Sequence, residues 1–181
     1  MSNTIVAKRY ADALFQLANE KGVAVDIYEQ LPVVKEVFET NDQLVAFINN
    51  PRVTITQKMD LINDTFNQVH PFILNTLKLL AQRQRLNSVL AVIDEFVRFF
   101  NEANGIAVVN IESVRELSID EQQNLENMFK KQLNKSKVVI KNEIDPSIIG
   151  GIKARVGNTI YDGSIKGKLN RLENQIVSAS K

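Results

Sequence analysis

The side chains that most often carry out catalysis are scarce in this sequence. There is one histidine, His70, and no cysteine, so a Cys-His metal site and a thiolate nucleophile are both excluded. His70 precedes Pro71, which favours an extended or turn conformation at a helix start, and we expect an ordinary surface residue there. Adjacent carboxylates such as Asp94 and Glu95 would point in different directions from one helix, unlike a paired acid and base. The residues therefore predict no enzyme and no cofactor site.

The nearest approach to a phosphate-binding loop is Gly150-Gly151-Ile152-Lys153. It lacks the spacing of a Walker A motif and precedes a strand pattern instead of a helix, so we read it as strand geometry. Apolar and basic residues alternate over 152–156, Gly157-Asn158 suits a two-residue hairpin, and 159–162 is the return strand. Asp162-Gly163 then turns the chain, and Ser164 can cap a short amphipathic helix. Its apolar positions are spaced by four, three and four residues: Ile165, Leu169, Leu172 and Ile176.

Two regions of different periodicity meet near Gly105. Apolar residues before it repeat at helical spacing in Thr4–Lys21, Ala24–Thr40 with an interruption at Pro32, Asp42–Ile48, Thr54–Phe66, Pro71–Arg83 and Leu86–Ala103. After it we expect a strand over 106–114, a helix over 118–132 with a Ser118/Glu121 capping box, and a strand over 138–144. The predicted fold is α+β and mainly α, with a six-helix bundle at 1–105 and a small α/β domain at 106–181.

Composition limits the function classes further. The chain is 44% hydrophobic and 24% charged, with no apolar run long enough to cross a membrane and no secretory leader, which favours a location inside the cell. Lys and Arg number ten against twelve acids up to Gly105, and twelve against nine after it, giving −2 and +3. This asymmetry is too mild to predict a nucleic-acid-binding face and favours protein partners.

Three motifs carry a family resemblance. The run from Gly150 to Gly157, the triplet Asp162-Gly163-Ser164 and the pair Leu169-x-x-Leu172 resemble the C-terminal signature of the delta subunit of F-type ATP synthases, called the oligomycin-sensitivity-conferring protein in mitochondria. The segment Ala7-Lys-Arg-Tyr10-Ala11-x-Ala13-Leu14 is similar to the start of that family's first helix.

The resemblance implies a mechanical function. It implies a non-catalytic stator subunit that links the catalytic head to the membrane-anchored peripheral stalk, so that proton flow is coupled to ATP synthesis. The helical domain would bind the N-terminal helix of an alpha subunit, and the second domain would bind the C-terminal helices of the b subunits. The protein would then lie at the cytoplasmic face of a bacterial cell membrane, held there through the complex.

The resemblance also implies site residues. Those expected to bind the alpha subunit, in a groove between the first and fifth helices, are Ala7, Tyr10, Ala11, Leu14, Leu77, Lys78 and Ala81. Those expected to bind the b subunits are Lys168, Arg171, Leu172 and Ile176. If Ala11 faces a partner, Ala11→Glu should weaken binding and leave the domain folded.

Alternative interpretations remain open at this stage. The first helix has two apolar stripes, one with Tyr10, Ala13 and Leu17 and one with Ala7 and Ala11, and either could be buried within its own domain. The C-terminal helix could likewise pack on its own sheet. Basic residues of the second domain could contact RNA, namely Lys153, Arg155, Lys166, Lys168 and Arg171, although no predicted strand carries an aromatic pair for base stacking. A hydrolase is the third and weakest alternative.

Overall fold

The computed structural model describes residues 3–171, and this part of the chain is mainly helical with one four-stranded sheet. It divides into two compact units between Phe100 and Asn101, so the last turn of the sixth helix counts with the second unit. This mixed, mainly helical fold class is the one that the periodicity predicts.

The first unit is built from helices. They are α1 (Asn3–Glu20), α2 (Ala24–Thr40), α3 (Asp42–Asn49), α4 (Ile55–Thr65), α5 (Pro71–Gln82), a 3-10 turn (Leu86–Ser88) and α6 (Val89–Ala103). Local chemistry sets several of the boundaries. Asn41 caps α3 through its side chain, and Thr54 and Gln57 form a capping box at the start of α4. Gly22, with a φ of +70°, takes the left-handed conformation that ends α1.

Proline does not interrupt the second helix, which corrects the expected break at Pro32. α2 runs continuously from Ala24 to Thr40 with Pro32 inside it. Proline removes one intrahelical hydrogen bond and crowds the preceding turn. Four buried side chains on one face hold the helix against the bundle despite this: Ile27, Leu31, Val34 and Phe38. Tertiary packing therefore outweighs the local helix-breaking tendency.

The second unit is a small sheet covered by one helix. Its elements are β1 (Ile106–Ser113), α7 (Ile119–Leu133), β2 (Lys137–Ile144), a 3-10 turn (Pro146–Ile148), β3 (Ile152–Val156) and β4 (Thr159–Asp162). The chain is then helical over 165–171, and we call this the C-terminal helix. The strand order is β2-β1-β3-β4, with β1 and β2 parallel and the other pairs antiparallel.

The core of the second unit lies between the sheet and α7. Its buried residues are Ala107, Val109, Ile111, Leu117, Phe129, Val138 and Ala154. Ser118 and Glu121 form the predicted capping box of α7. Asn142 connects the layers, because its Nδ2 donates to Ser113 Oγ at 2.6 Å and its Oδ1 accepts from the Leu117 amide at 2.9 Å. This amide side chain fixes the connection between β1 and α7 to the outer strand β2.

Candidate functional site

An open apolar groove of about 290 Å³ runs between α1 and α5 in the first unit. It is lined by Tyr10, Ala13, Leu14, Leu17, Phe72, Asn75, Thr76 and Leu79. Leu17 is 37% exposed and Leu79 42% exposed, although both are large apolar side chains. Exposed apolar residues that share one concave surface are characteristic of a protein-binding site, whereas isolated ones are common everywhere.

The sequence creates this groove by giving α1 two apolar stripes. Ala7, Ala11 and Ala18 are fully buried, and their small side chains allow α1 to pack closely inside the bundle. The other stripe, which includes Tyr10, Ala13 and Leu17, is displaced around the helix and lines the groove. On α5, Phe72, Thr76 and Leu79 follow at spacings of four and three, so they share the facing side.

The start of α5 is fixed by hydrogen bonds. Its N-cap is His70, whose Nδ1 accepts from the Phe72 amide at 3.2 Å, and Pro71 occupies the first helical position. The His70 amide donates to Gln30 Oε1 of α2 at 2.6 Å. Within the groove, Thr76 Oγ1 donates to the Phe72 carbonyl at 2.8 Å. The single histidine therefore has a defined role as a helix cap, which the sequence did not reveal.

The structure brings α1 and α5 together as expected but corrects which of their side chains are accessible. Ala7 and Ala11 of α1, and Leu77 and Ala81 of α5, are buried in the bundle at 3% exposure or less. Their own domain covers them, and none of the four lines the groove between α1 and α5. Lys78 is half-buried and does not line the groove.

Among the residues expected to bind the alpha subunit, Tyr10 and Leu14 do line the groove. Sequence reasoning missed the other lining residues: Ala13, Leu17, Phe72, Asn75, Thr76 and Leu79. The signal was present in the Tyr10-Ala13-Leu17 stripe, but periodicity alone could not decide which of the two stripes faces the core.

The signature motif of the second unit builds the start of the C-terminal helix. Ser164 Oγ accepts from the Gly167 amide at 3.0 Å, as the predicted N-cap should, and donates to Asp162 Oδ1 at 2.6 Å. The Ser164 amide also donates to Asp162 Oδ1, at 2.9 Å. Both hydrogen bonds from Ser164 lower the pKa of the Asp162 carboxyl group. The bond from the hydroxyl group has the larger effect, and the bond from the backbone amide has the next largest. The carboxylate is thus held in its charged form at the beginning of the helix.

Two glycines allow this helix start to lie directly against the sheet. Gly151 has a φ of +77°, and a Cβ atom there would lie 2.6 Å from the Gly163 carbonyl oxygen. A Cβ atom on Gly150 would lie 2.8 Å from Cδ1 of Ile165. Backbone bonds complete the junction, with the Gly163 amide donating to the Ile152 carbonyl and the Ile165 amide to the Gly150 carbonyl, both at 3.0 Å. Close approach to backbone and a positive φ require the glycine at 151, whereas the end of the Ile165 side chain could move away from a Cβ atom on Gly150.

The residues expected to bind the b subunits lie at the end of the described chain. Lys168 and Arg171 are exposed, and the Arg171 guanidinium donates to the Asp162 carbonyl at 3.3 Å. Leu172 and Ile176 lie outside the described residues. Ile165 is 46% exposed and Leu169 54% exposed, so this face of the C-terminal helix is not buried on its own sheet.

Groups that could support other chemistry do not assemble in residues 3–171. No three His, Asp or Glu side chains there come close enough together to hold a metal ion. None of the helices within the same range is both long and apolar enough to span a membrane. The described residues include an apolar groove on the helical unit and an exposed amphipathic helix on the α/β unit, and both are surfaces suited to contact with other proteins.

Comparison with known proteins identifies the family. Residues 6–176 match the family model described as the ATP synthase delta (OSCP) subunit, and the chain belongs to this family. It is 43% identical to ATP synthase subunit delta of Oceanobacillus iheyensis over 181 residues, covering 100% of both chains. It is 41% identical to that of a Geobacillus species, covering 98% of this chain and 99% of the relative. The comparisons give no support to the RNA-binding alternative.

A solved structure shares the fold. A chain in the cryo-EM structure of the Toxoplasma gondii mitochondrial ATP synthase hexamer superposes with a TM-score of 0.77 at 22% identity. The match covers 94% of this chain and 97% of the other. The arrangement of helices and sheet described above is therefore found in a far more distant sequence.

Proposed function

We propose that this protein is the stator adaptor of an F-type ATP synthase, with one docking site on each unit. The groove between α1 and α5 receives the N-terminal helix of an alpha subunit. The C-terminal helix binds the C-terminal helices of the b subunits through its exposed apolar face. Family membership supports the stator role, and the open apolar groove is the observation that supports the alpha-subunit site most directly.

The groove suits an amphipathic helix. Its lining is mostly apolar, and the hydroxyl group of Thr76 is already hydrogen-bonded within α5, so a ligand need not supply a polar partner for it. A helix docks into such a groove through apolar residues spaced by three and four positions. Leu17 and Leu79, the most exposed large lining side chains, would then lose the most contact with water.

The second site combines apolar and basic side chains. Ile165 and Leu169 offer exposed apolar surface, and Lys168 and Arg171 flank it. The expected occupant is an amphipathic helix of the rod with acidic residues beside its apolar stripe. Reversing both basic charges should weaken capture of a peptide taken from the C-terminal helix of the rod. Equal capture by the wild-type and reversed proteins would reject this site.

The proposed activity is mechanical and non-catalytic. Rotation of the central stalk exerts torque on the catalytic head, which would turn with it unless a stator held it to the membrane-anchored rod. A two-site adaptor gains from linkage, because the second binding event occurs at an effective concentration on the order of millimolar. Modest contacts at each end therefore suffice to hold the head while proton flow drives ATP synthesis. The protein would lie peripherally at the cytoplasmic face of a bacterial membrane, attached through the complex.

Calorimetry with the full chain tests the alpha-subunit site. A synthetic peptide with the sequence of the N-terminal helix of the alpha subunit should bind the wild-type protein, and Leu79→Glu should weaken this binding at least about tenfold, or ~1.4 kcal/mol. Val33→Glu is the matched control, because Val33 is a 59% exposed apolar residue on α2, outside the groove. Equal affinities of the two variants for the peptide would reject the groove as the binding site.

A further inference from the structure

The α7–β2 connection carries an unusual concentration of positive charge. Residues 130–141 contain five lysines and no acidic residue: Lys130, Lys131, Lys135, Lys137 and Lys141. We call them the lysine edge. None of them forms an ion pair with another described residue of 3–171. Lysines in the last turn of a helix interact favourably with its dipole, which accounts for Lys130 and Lys131 but not for the other three.

Two of these lysines, Lys130 and Lys137, line a groove beside an open strand edge. β2 is an outer strand of the sheet, so one side of its backbone has no strand partner within the described chain. A groove of about 420 Å³ runs along this edge, lined on the α7 side by Glu126, Asn127 and Lys130, and on the strand side by residues 136–140. An unpaired strand edge beside a groove can accept one further strand through its backbone groups.

The geometry of the groove is fixed by local hydrogen bonds. Asn134 ends α7 in the left-handed conformation, with a φ of 50°. Ser136 Oγ then donates to the carbonyl oxygens of Asn104 and Gly105, at 2.9 and 3.0 Å. The turn that presents the lysines is therefore tied to the chain just before β1.

The charges of the lysine edge determine which kind of strand could be added beside β2. Val138 is buried against α7, so strand alternation places Lys137, Val139 and Lys141 on the opposite face, while Lys130 projects from α7. An added strand would meet Lys130 beside Glu126 on the α7 side, and Lys137 and Lys141 on the other side, so lysines outnumber the one acidic residue. Two copies of this edge would repel each other, because like charges on neighbouring strands are destabilising. The same positive charge favours a strand with acidic residues.

We propose that the lysine edge is a second type of docking site, which binds an extended acidic segment of a partner protein as an added strand beside β2. Two features favour a polypeptide over other anions. Residues 130–141 include no aromatic side chain on which a nucleic-acid base could stack. The lysines also lie on both faces of the strand edge, so they cannot all contact one flat lipid surface. This site does not depend on the groove of the first unit.

The test uses the isotopically labelled full chain and a capped peptide of alternating glutamate and valine. NMR should show slowed hydrogen exchange at β2 amides on the open edge, and the affinity for the peptide should fall at least about tenfold between about 0.05 and 0.5 M salt. A peptide of alternating lysine and valine should not bind. A short oligouridylate and anionic lipid vesicles serve as competing probes.

Charge reversal supplies the matched variants. The triple variant Lys130→Glu, Lys137→Glu and Lys141→Glu should lose at least about tenfold in affinity for the acidic peptide. The control triple Lys21→Glu, Arg52→Glu and Arg83→Glu changes the net charge equally at exposed positions of the first unit and should keep the affinity. Lys→Gln at the three edge positions should give an intermediate affinity if the reversed variant does not fold. Unchanged β2 exchange, equal loss in both triples, or tighter binding of oligouridylate or vesicles would overturn the proposal.

Discussion

At the scale of single residues, Ala11 shows how burial separates the two faces of α1. Its side chain is fully buried among the residues of its own bundle, four positions from Ala7 and three from Leu14. Contrary to the expectation from the family resemblance, a charge at Ala11 would be forced into the core instead of toward a partner. The stability of the unit and the accessibility of the groove thus depend on neighbouring but different side chains.

Ala11→Glu is predicted to destabilise the fold by roughly 3 to 5 kcal/mol, because an unpaired carboxylate and its extra atoms would be buried together. Urea unfolding followed by circular dichroism measures this change. Ala13→Glu, at an exposed position two residues further along α1, should change the free energy of unfolding by less than about 1 kcal/mol. If both variants proved equally stable, the burial described for α1 would be incorrect.

Glu121 is the residue whose pKa the structure shifts most clearly. Arg115 Nη1 and Nη2 donate to its two carboxylate oxygens at 3.0 and 2.8 Å. This side-chain hydrogen bonding, followed by that of the Ser118 amide, lowers the pKa of the Glu121 carboxyl group from 4.5 to about 2. The carboxylate completes the capping box of α7 while it is charged.

The lowered pKa of Glu121 sets the direction in which stability changes with pH. Because the pKa is lower in the folded state, the stabilising contribution of Glu121 is present above 4.5 and is lost as the pH falls toward about 2. NMR titration of the labelled side chain should show a midpoint well below the ordinary value of 4.5. Arg115→Ala should raise the midpoint of Glu121. An unchanged midpoint in this variant would contradict the assigned cause.

At the scale of elements, the junction between β3 and the C-terminal helix sets where that helix begins. Gly151 holds a positive φ and lies against the Gly163 backbone, while Asp162 and Ser164 cap the helix. Each part of this junction needs a particular residue type. That requirement explains physically why the motif is distinctive without being catalytic.

Gly151→Ala should destabilise the protein more than Gly157→Ala. Both glycines have positive φ, at 77° and 55°, but a Cβ atom on Gly157 would contact nothing within 4 Å. Gly157→Ala therefore carries only the backbone strain, about 1 kcal/mol, whereas Gly151→Ala adds a collision with the Gly163 carbonyl. The difference between their thermal unfolding midpoints measures the collision. Equal midpoints would show that the approach of the two chain segments is not tight.

Much of the element pattern could be predicted from the sequence, since caps and periodicity act locally. The capping box of Ser118, the Gly157-Asn158 hairpin and the Ser164 cap are examples. Pro32 inside α2 could not be predicted, because its cost is offset by packing contacts made between helices. The strand order could not be predicted from the sequence either, because the pairing of β1 with both β2 and β3 depends on non-local contacts.

The candidate site was predicted less completely than the elements. The pairing of the first and fifth helices came from the family resemblance, whereas the choice of face required the structure. Ala11 and Leu17 are both apolar, and only the position of the neighbouring helices buries one and exposes the other. The role of His70 as a cap was missed for a different reason: the Phe72 amide that it caps is only two residues away, but histidine is not one of the residue types that normally signal an N-cap.

At the scale of the whole molecule, each of the two units carries one of the docking sites proposed for the stator role, and residues 3–171 assemble no metal site. A stator needs stiffness within each unit and binding at both ends, and it needs no reaction chemistry. The packed core and capped helices of each unit supply the first requirement. The groove and the C-terminal helix are the sites proposed for the second.

The most direct test of the stator role is ATP-driven proton pumping by membrane vesicles stripped of this protein and then reconstituted with the purified chain. Wild-type protein and Val33→Glu should both restore pumping, whereas Leu79→Glu should restore it poorly although the head continues to hydrolyse ATP. Melting temperatures of the three proteins show whether each is folded. Full restoration of pumping by folded Leu79→Glu would contradict the claim that the α1–α5 groove holds the catalytic head.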